Sequence, residues 1–348
     1  MRRAASVAVV LAVAALLGLA DWTASLQSEQ KPTASTTIRH LSTEDKAGAD
    51  EVLAGVYVSN IQAINLTTNS FDADFYVWLR WRNPDLDPTA GVEVMNPYQS
   101  WALVVTPVYD EPQLQPDGSL LWLARYQGSF NSPLSLSDYP FERQTLRIII
   151  EDGLGTTRDV VYRPDSDPIA LDPEVTLPGY RIGEPQIDFG EFTYTSSFGE
   201  VESTRESRTY PRITVSIPLS SPAASGIVKT ILPVTIVLIA AALALMVPVV
   251  HVDAKIGLGI TALLALVAMH WGVSSTLPDA SYLLMIDVLY LLSYAAVTAI
   301  LAVTVAGIYV RQSRGEQAAS GVERRALVLI AGAVVIGLAL VLLFYLPE

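Results

Sequence analysis

Seven residues separated by steps of four, four, three, four, three and four, namely Asp253, Gly257, Thr261, Leu264, Ala268, Trp271 and Ser275, share one side of any helix spanning Asp253–Pro278, because these steps track the 3.6-residue turn. The stripe sets an acid, two hydroxyls and two small residues into an otherwise apolar stretch. Their chemistry is to offer oxygen atoms and a fixed negative charge to something other than hydrocarbon. A water-filled passage is one such partner. Close helix packing is the other, since small residues at a four-residue spacing, as at Gly257 and Thr261, let backbones approach. The stripe alone leaves both readings open.

Other chemistries find little support. The chain has no cysteine, which excludes disulfides and thiolate metal sites, and its three histidines, His40, His251 and His270, lack metal-ligand spacing. No nucleophile motif or phosphate-binding loop is present, and Glu151 and Asp152 point to opposite faces of any strand they occupy. A metal or other cofactor is not expected, and an enzyme is the weaker class.

Charge and hydropathy divide the 348 residues into two halves near Pro218. From Leu41 to Pro218 there are 27 acidic and 12 basic side chains, whereas from Leu219 to Glu348 there are six of each, so the net charge of −13 belongs to the first half. An acidic domain does not suit nucleic acid; it suits either solubility or the gathering of cations near a membrane. The start, Met-Arg-Arg followed by the apolar run Ala4–Leu17 and small residues to Ala20, predicts a signal peptide over residues 1–20. Residues 21–40, rich in Ser, Thr and Gln and with one Lys, predict a flexible leader.

The second half, residues 219–348, holds four apolar segments, about Ile227–Val247, Lys255–Thr276, Ser281–Val310 and Ala326–Leu346, each long enough to cross a bilayer core of about 30 Å. The most basic connection carries Arg311, Arg314, Arg324 and Arg325 and is expected in the cytoplasm. The same orientation exports residues 41–218 across the inner (plasma) membrane, as the signal peptide requires. There the periodicity is two: Asp50–Leu66, Phe71–Trp81, Leu120–Tyr126, Thr145–Ile150, Arg158–Tyr162, Ile187–Tyr194 and Thr209–Pro218 read as strands of a β-sandwich. In the second of these, Phe75, Val77, Leu79 and Trp81 form a core face, while Tyr76, Trp78 and Arg80 form a face that either binds a partner or is merely half-buried.

The order of an exported β-sandwich, Phe-Tyr-Val-Trp-Leu-Arg-Trp on an early strand, Ser-Asp-Tyr-Pro-Phe-Glu-Arg-Gln between two later ones, and four membrane segments with Pro233 in the first resembles the pentameric ligand-gated ion channels of the Cys-loop receptor superfamily. The likeness covers residues 41–346. Tyr139, Pro140, Phe141, Glu142 and Gln144 match the family's signature loop, and the cysteines that usually close it, expected near Ser132 and Leu146, are absent, as in bacterial members. The fifteen-residue link Arg311–Arg325 is also short, in the bacterial manner.

The resemblance implies an immunoglobulin-like extracellular sandwich on a four-helix transmembrane bundle, assembled as a homopentamer in a lipid bilayer. It implies that the stripe lines the pore, with Leu264 as a hydrophobic gate and Asp253 as the selectivity residue at the cytoplasmic mouth. Monovalent cations are then the permeating ions. Ala-Lys-Ile-Gly-Leu-Gly-Ile-Thr, however, is similar to the matching stretch of glycine and GABA receptors, which pass anions and tend to have proline in place of Asp253. Lys255, about 200° around the helix from Asp253, should face away from the lumen. The resemblance also implies an agonist site between subunits, with Tyr76, Trp78 and Arg80 on one side and Glu151, Asp152, Tyr194 and Tyr210 on the other, beside the hairpin Phe198–Thr209. Aromatic rings with carboxylates suit a small cationic agonist; protons are the alternative. Coupling is expected through Tyr139, Pro140 and Phe141 acting on Leu277, Pro278 and Asp279, with Ser221 standing where the family usually has an arginine and Arg212 or Arg143 as its substitutes. An anchored sensory protein that does not conduct is the reading from a different class.

Overall fold

The computed structural model describes residues 39–40, 48–199, 201, 208–278 and 283–345. The signal peptide, Asp279, and all of the leader but Arg39 and His40 lie outside these residues. The described residues form two compact units, one drawn from residues 39–134 and 143–220, the other from residues 135–142 and 221–345.

The first unit is a pair of six-stranded sheets. One sheet orders β1 (Arg39–His40), β11 (Gln186–Thr193), β12 (Thr209–Ser220), β8 (Arg143–Asp152) and β4 (Val92–Val94), with β10 (Arg181–Ile182) also on β12. The other orders β5 (Val104–Pro107), β7 (Leu120–Asn131), β3 (Ser70–Trp81), β2 (Asp50–Asn65) and β9 (Val160–Leu171), with β6 (Gln113–Leu114) on β7. Strict alternation builds the core: along β12, Ile213, Val215, Ile217 and Leu219 are buried while Arg212, Thr214 and Ser216 are not. In β3 the buried set is Phe71, Ala73, Phe75, Val77, Leu79 and Trp81. Each such large side chain contributes about 1.5–3 kcal/mol when fully buried, so a one-residue slip of either strand would turn the whole set outward. The β2–β9 pair is parallel, while the other strand pairs of the two sheets are antiparallel.

The second unit holds four helices, α1 (Ala223–Leu243), α2 (Val252–Ser274), α3 (Met285–Arg314) and α4 (Glu316–Tyr345). All four are long and apolar enough to cross a membrane. Within α1, Pro233 follows the π-helical turn Ile227–Ile231, a local adjustment of the kind that accommodates a residue without an N–H inside a membrane helix. The basic link expected to be a fifteen-residue loop is instead helical on both sides of one residue, Gly315, at φ 84°. The stretch contains good helix formers and no proline, so both helices run on past the apolar spans, and the reversal falls on a residue without a Cβ. α3 starts at Met285 rather than Ser281, because Leu284 N donates to Asp287 Oδ2 at 3.0 Å and fixes the first turn there.

Candidate functional site

Every stripe residue of α2, from Asp253 through Gly257, Thr261, Leu264, Ala268 and Trp271 to Ser275, is exposed within the protomer. Leu264 is 64% and Trp271 78% exposed. The opposite face, Lys255, Gly259, Ala262 and Leu266, is buried. Within the protomer Gly257 and Gly259 of α2 differ. A Cβ on Gly259 would overlap the Leu301 side chain of α3, whereas one on Gly257 would meet nothing within 4 Å. The glycine that serves packing inside the bundle is therefore Gly259, off the stripe, and Gly257 keeps its side open. Asp253 lies in the first turn of α2, where the helix dipole favours an acid. Lys255 is 1% exposed and its Nζ donates to Glu323 Oε1 at 2.6 Å and to Val247 O at 3.1 Å.

Nearer the far end of α2, His270 stacks on Tyr290 with ring centroids 4.5 Å apart and lies 3.1 Å from the Tyr294 hydroxyl and 3.4 Å from Asp287 Oδ1. Leu277 and Pro278 follow α2, half-buried. The signature loop, residues 135–142, belongs to the helical unit. Phe141 clusters with Met285 and Val341, Met285 N donates to Ser137 O at 2.9 Å, and a Cβ on Gly226 would lie 3.0 Å from both the Phe141 ring and Pro140 Cγ. The loop thus grips the starts of α1 and α3. Where an arginine was expected, Ser221 instead donates its backbone N–H to Glu142 O at 3.1 Å.

In the β unit the proposed agonist residues fall into two groups on different sheets. Tyr76, Trp78 and Arg80 project from β3 away from the core. Trp78 Nε1 donates to Asp165 Oδ2 at 3.1 Å, and Arg80 donates to Asp165 and, at 3.2 Å, to Asp117 Oδ2. Burial works to raise the Asp165 carboxyl, but the bonds from Arg80, Ser166 N and Trp78 outweigh it and hold it below the usual range. These residues line an open cavity of about 630 Å³ with Pro116, Leu121 and Leu123. Tyr76 lies apart from that cavity lining, with the Arg125 guanidinium 5.7 Å from its ring centroid.

The second group gathers at β8, β11 and β12. Glu151, 2% exposed, accepts from Arg212 and, at 2.8 Å, from the Tyr194 hydroxyl. Arg212 is thereby committed to Glu151 and is not the substitute for the missing arginine. Its guanidinium also sits 3.6 Å from the Phe192 ring centroid. Burial, then the bond to Glu151, pushes the Tyr194 phenol up to about 12. Around Tyr194 stand Phe192 at 4.8 Å, Phe198 at 5.3 Å and Tyr210 at 5.8 Å between centroids. Asp152 faces elsewhere: its Oδ1 accepts from Leu154 N at 3.0 Å and Gly155 N at 2.6 Å, and the carboxyl is buried in that turn. The sequence reading missed Phe192, Phe198, Asp117 and Asp165. Phe192 had a signal, since it shares a strand face with Tyr194 and pairs across the ladder with Tyr210. Asp165 had none, being 85 residues from Arg80.

The neurotransmitter-gated ion-channel transmembrane region matches residues 230–333. With a β-rich domain ahead of four apolar helices and a signature loop lacking cysteines, the chain resembles the pentameric ligand-gated ion channels, and the match over its transmembrane region supports that likeness. It is similar to the proton-gated ion channel of Gloeobacter violaceus, 26% identical over 270 residues that cover 72% of each chain. The protein is accordingly a multi-pass membrane protein whose N-terminal domain is extracellular or periplasmic, and its relatives are channels rather than enzymes.

Proposed function

We propose that five copies of the chain surround a cation-selective pore lined by α2, opened by a ligand bound between the β domains of neighbouring subunits. The observation that carries this reading is the exposure of all seven stripe residues while the other face of α2 packs into its own bundle. Around a five-fold axis, Leu264 rings would close the path by dewetting, and Asp253 rings would set the charge at the cytoplasmic mouth. Residues 41–218 would form the ligand-binding domain and residues 219–348 the pore domain.

For the ligand, Trp78, Arg80 and the cavity beside them would meet the aromatic cluster of Tyr194 and Tyr210 from an adjacent subunit, with Tyr76 on the same strand face as Trp78 and Glu151 behind Tyr194, while Asp152, turned into its own loop, would take no part. Glu151 is already bonded by Arg212 and Tyr194, so the aromatic faces, more than a free carboxylate, would hold a cationic agonist. The relative's proton gating makes pH the first agonist to test. Coupling would run from Tyr139, Pro140 and Phe141 to the segment Leu277–Asp279 through the starts of α1 and α3. The experiment is reconstitution of the purified protein in liposomes with ion flux measured across pH and amine panels. Ion flux evoked by one of these supports the reading, and intact pentamers that never conduct would favour an anchored binding protein.

A further inference from the structure

The first turn of α2 carries two charges that face opposite ways. Asp253 is exposed on the stripe, whereas Lys255 is buried against Glu323 of α4, itself 2% exposed. Glu323 reaches Lys255 beside Gly307 of α3, where a Cβ would lie 2.6 Å from Glu323 Oε1. The turn joining α1 to α2 is held by two cations, Lys255 on Val247 O and Arg311 of α3 on Val249 O at 3.2 Å. A buried ion pair is weak as a source of stability, because apolar residues of similar volume usually serve as well. Inside a membrane helix an ionisable residue points to function instead. An uncompensated Lys255 in each subunit would place a ring of positive charge two residues from the ring of Asp253 carboxylates.

We propose that Glu323, a residue off the pore stripe, sets ion preference by neutralising Lys255, so that Asp253 alone determines the potential at the cytoplasmic mouth. The inference rests on the channel reading with α2 lining the pore. Glu323 is a positioning residue, acting on permeating ions only through Lys255.

Reversal potentials in a sodium chloride gradient, measured on reconstituted pentamers of wild type, Glu323→Gln, Lys255→Met and Lys255→Met/Glu323→Leu, test it. Glu323→Gln should shift the potential towards the chloride value, with a fall of at least about tenfold in the sodium-to-chloride permeability ratio, since one added unit charge about 10 Å away at an effective dielectric of about 20 already changes the energy of each ion by more than a tenfold factor and does so with opposite sign for the two ions. The double variant should return to the wild-type potential. The direction of the shift does not depend on which ion the wild type prefers. A chloride-preferring wild type would therefore refute the Asp253 assignment, while the Glu323 proposal stands or falls on the shift. Glu323→Gln with an unchanged potential, or a double variant shifted as far as the single, overturns the proposal. Where Glu323→Gln assembles poorly, the pentamer melting temperatures of the four proteins decide. Recovery in the double variant supports the pairing, and losses that simply add overturn it.

Discussion

Replacing Leu264 with serine probes the proposed gate at the one large aliphatic residue of the stripe. Leu264 is 64% exposed in the protomer, so most of its side chain is available to leave water when five copies converge. Full burial of a leucine is worth about 1.5–3 kcal/mol. If the closed ring covers about half of it, each subunit contributes about 1 kcal/mol and five contribute about 5 kcal/mol. A shift of about 5.5 kcal/mol carries a two-state equilibrium from 1:99 to 99:1. Leu264→Ser is therefore expected to turn a channel that is closed at rest into one open most of the time without agonist, and Leu264→Val, which removes one methylene, to fall between. Spontaneous flux from loaded liposomes, with and without agonist, measures both. Resting flux and agonist response both unchanged in Leu264→Ser would refute the gate assignment and move it towards Trp271.

Alanine at Tyr76, Trp78 or Tyr210 should raise the activating ligand concentration and leave single-channel conductance alone; dose–response curves superimposable on the wild type for all three would remove the site. Gly259→Ala should weaken pentamer thermal stability, because its Cβ meets Leu301, while Gly257→Ala should assemble normally and alter conductance instead. The bond from Arg125, aided by its charge and working against burial, holds the Asp74 carboxyl below its ordinary range. A depressed folded-state value contributes stability above the unfolded value of about 3.9, and that contribution is lost as pH falls through the folded one. The β domain should thus melt at lower temperature as pH drops below about 4, and Asp74→Asn should flatten that dependence.

How much of this was legible in sequence differs by element. The period of two in Phe75–Trp81 and Thr209–Ser220 needed no structure, because one face of each strand is core and the other is not. The stripe on α2 was legible for the same reason at a period of 3.6. Helix ends were less so: the capping bond to Asp287 and the reversal at Gly315 override a hydropathy boundary, which marks where apolar residues stop rather than where the helix does. Pairings across long separations were not legible at all. Lys255 and Glu323 are 68 residues apart and Trp78 and Asp165 are 87 apart, and no local pattern links them. The sequence did predict that Lys255 faces away from the lumen, but not what it would meet there.

The reversal potential of the wild-type channel in a salt gradient, compared with that of Asp253→Ala, tests the central claim most directly. A ring of five carboxylates at the cytoplasmic mouth attracts cations and repels anions. The wild-type potential should lie near the sodium or potassium value and move towards zero in Asp253→Ala. A wild-type potential that tracks chloride would contradict the account and make the likeness of Ala254–Thr261 to anion channels the better guide.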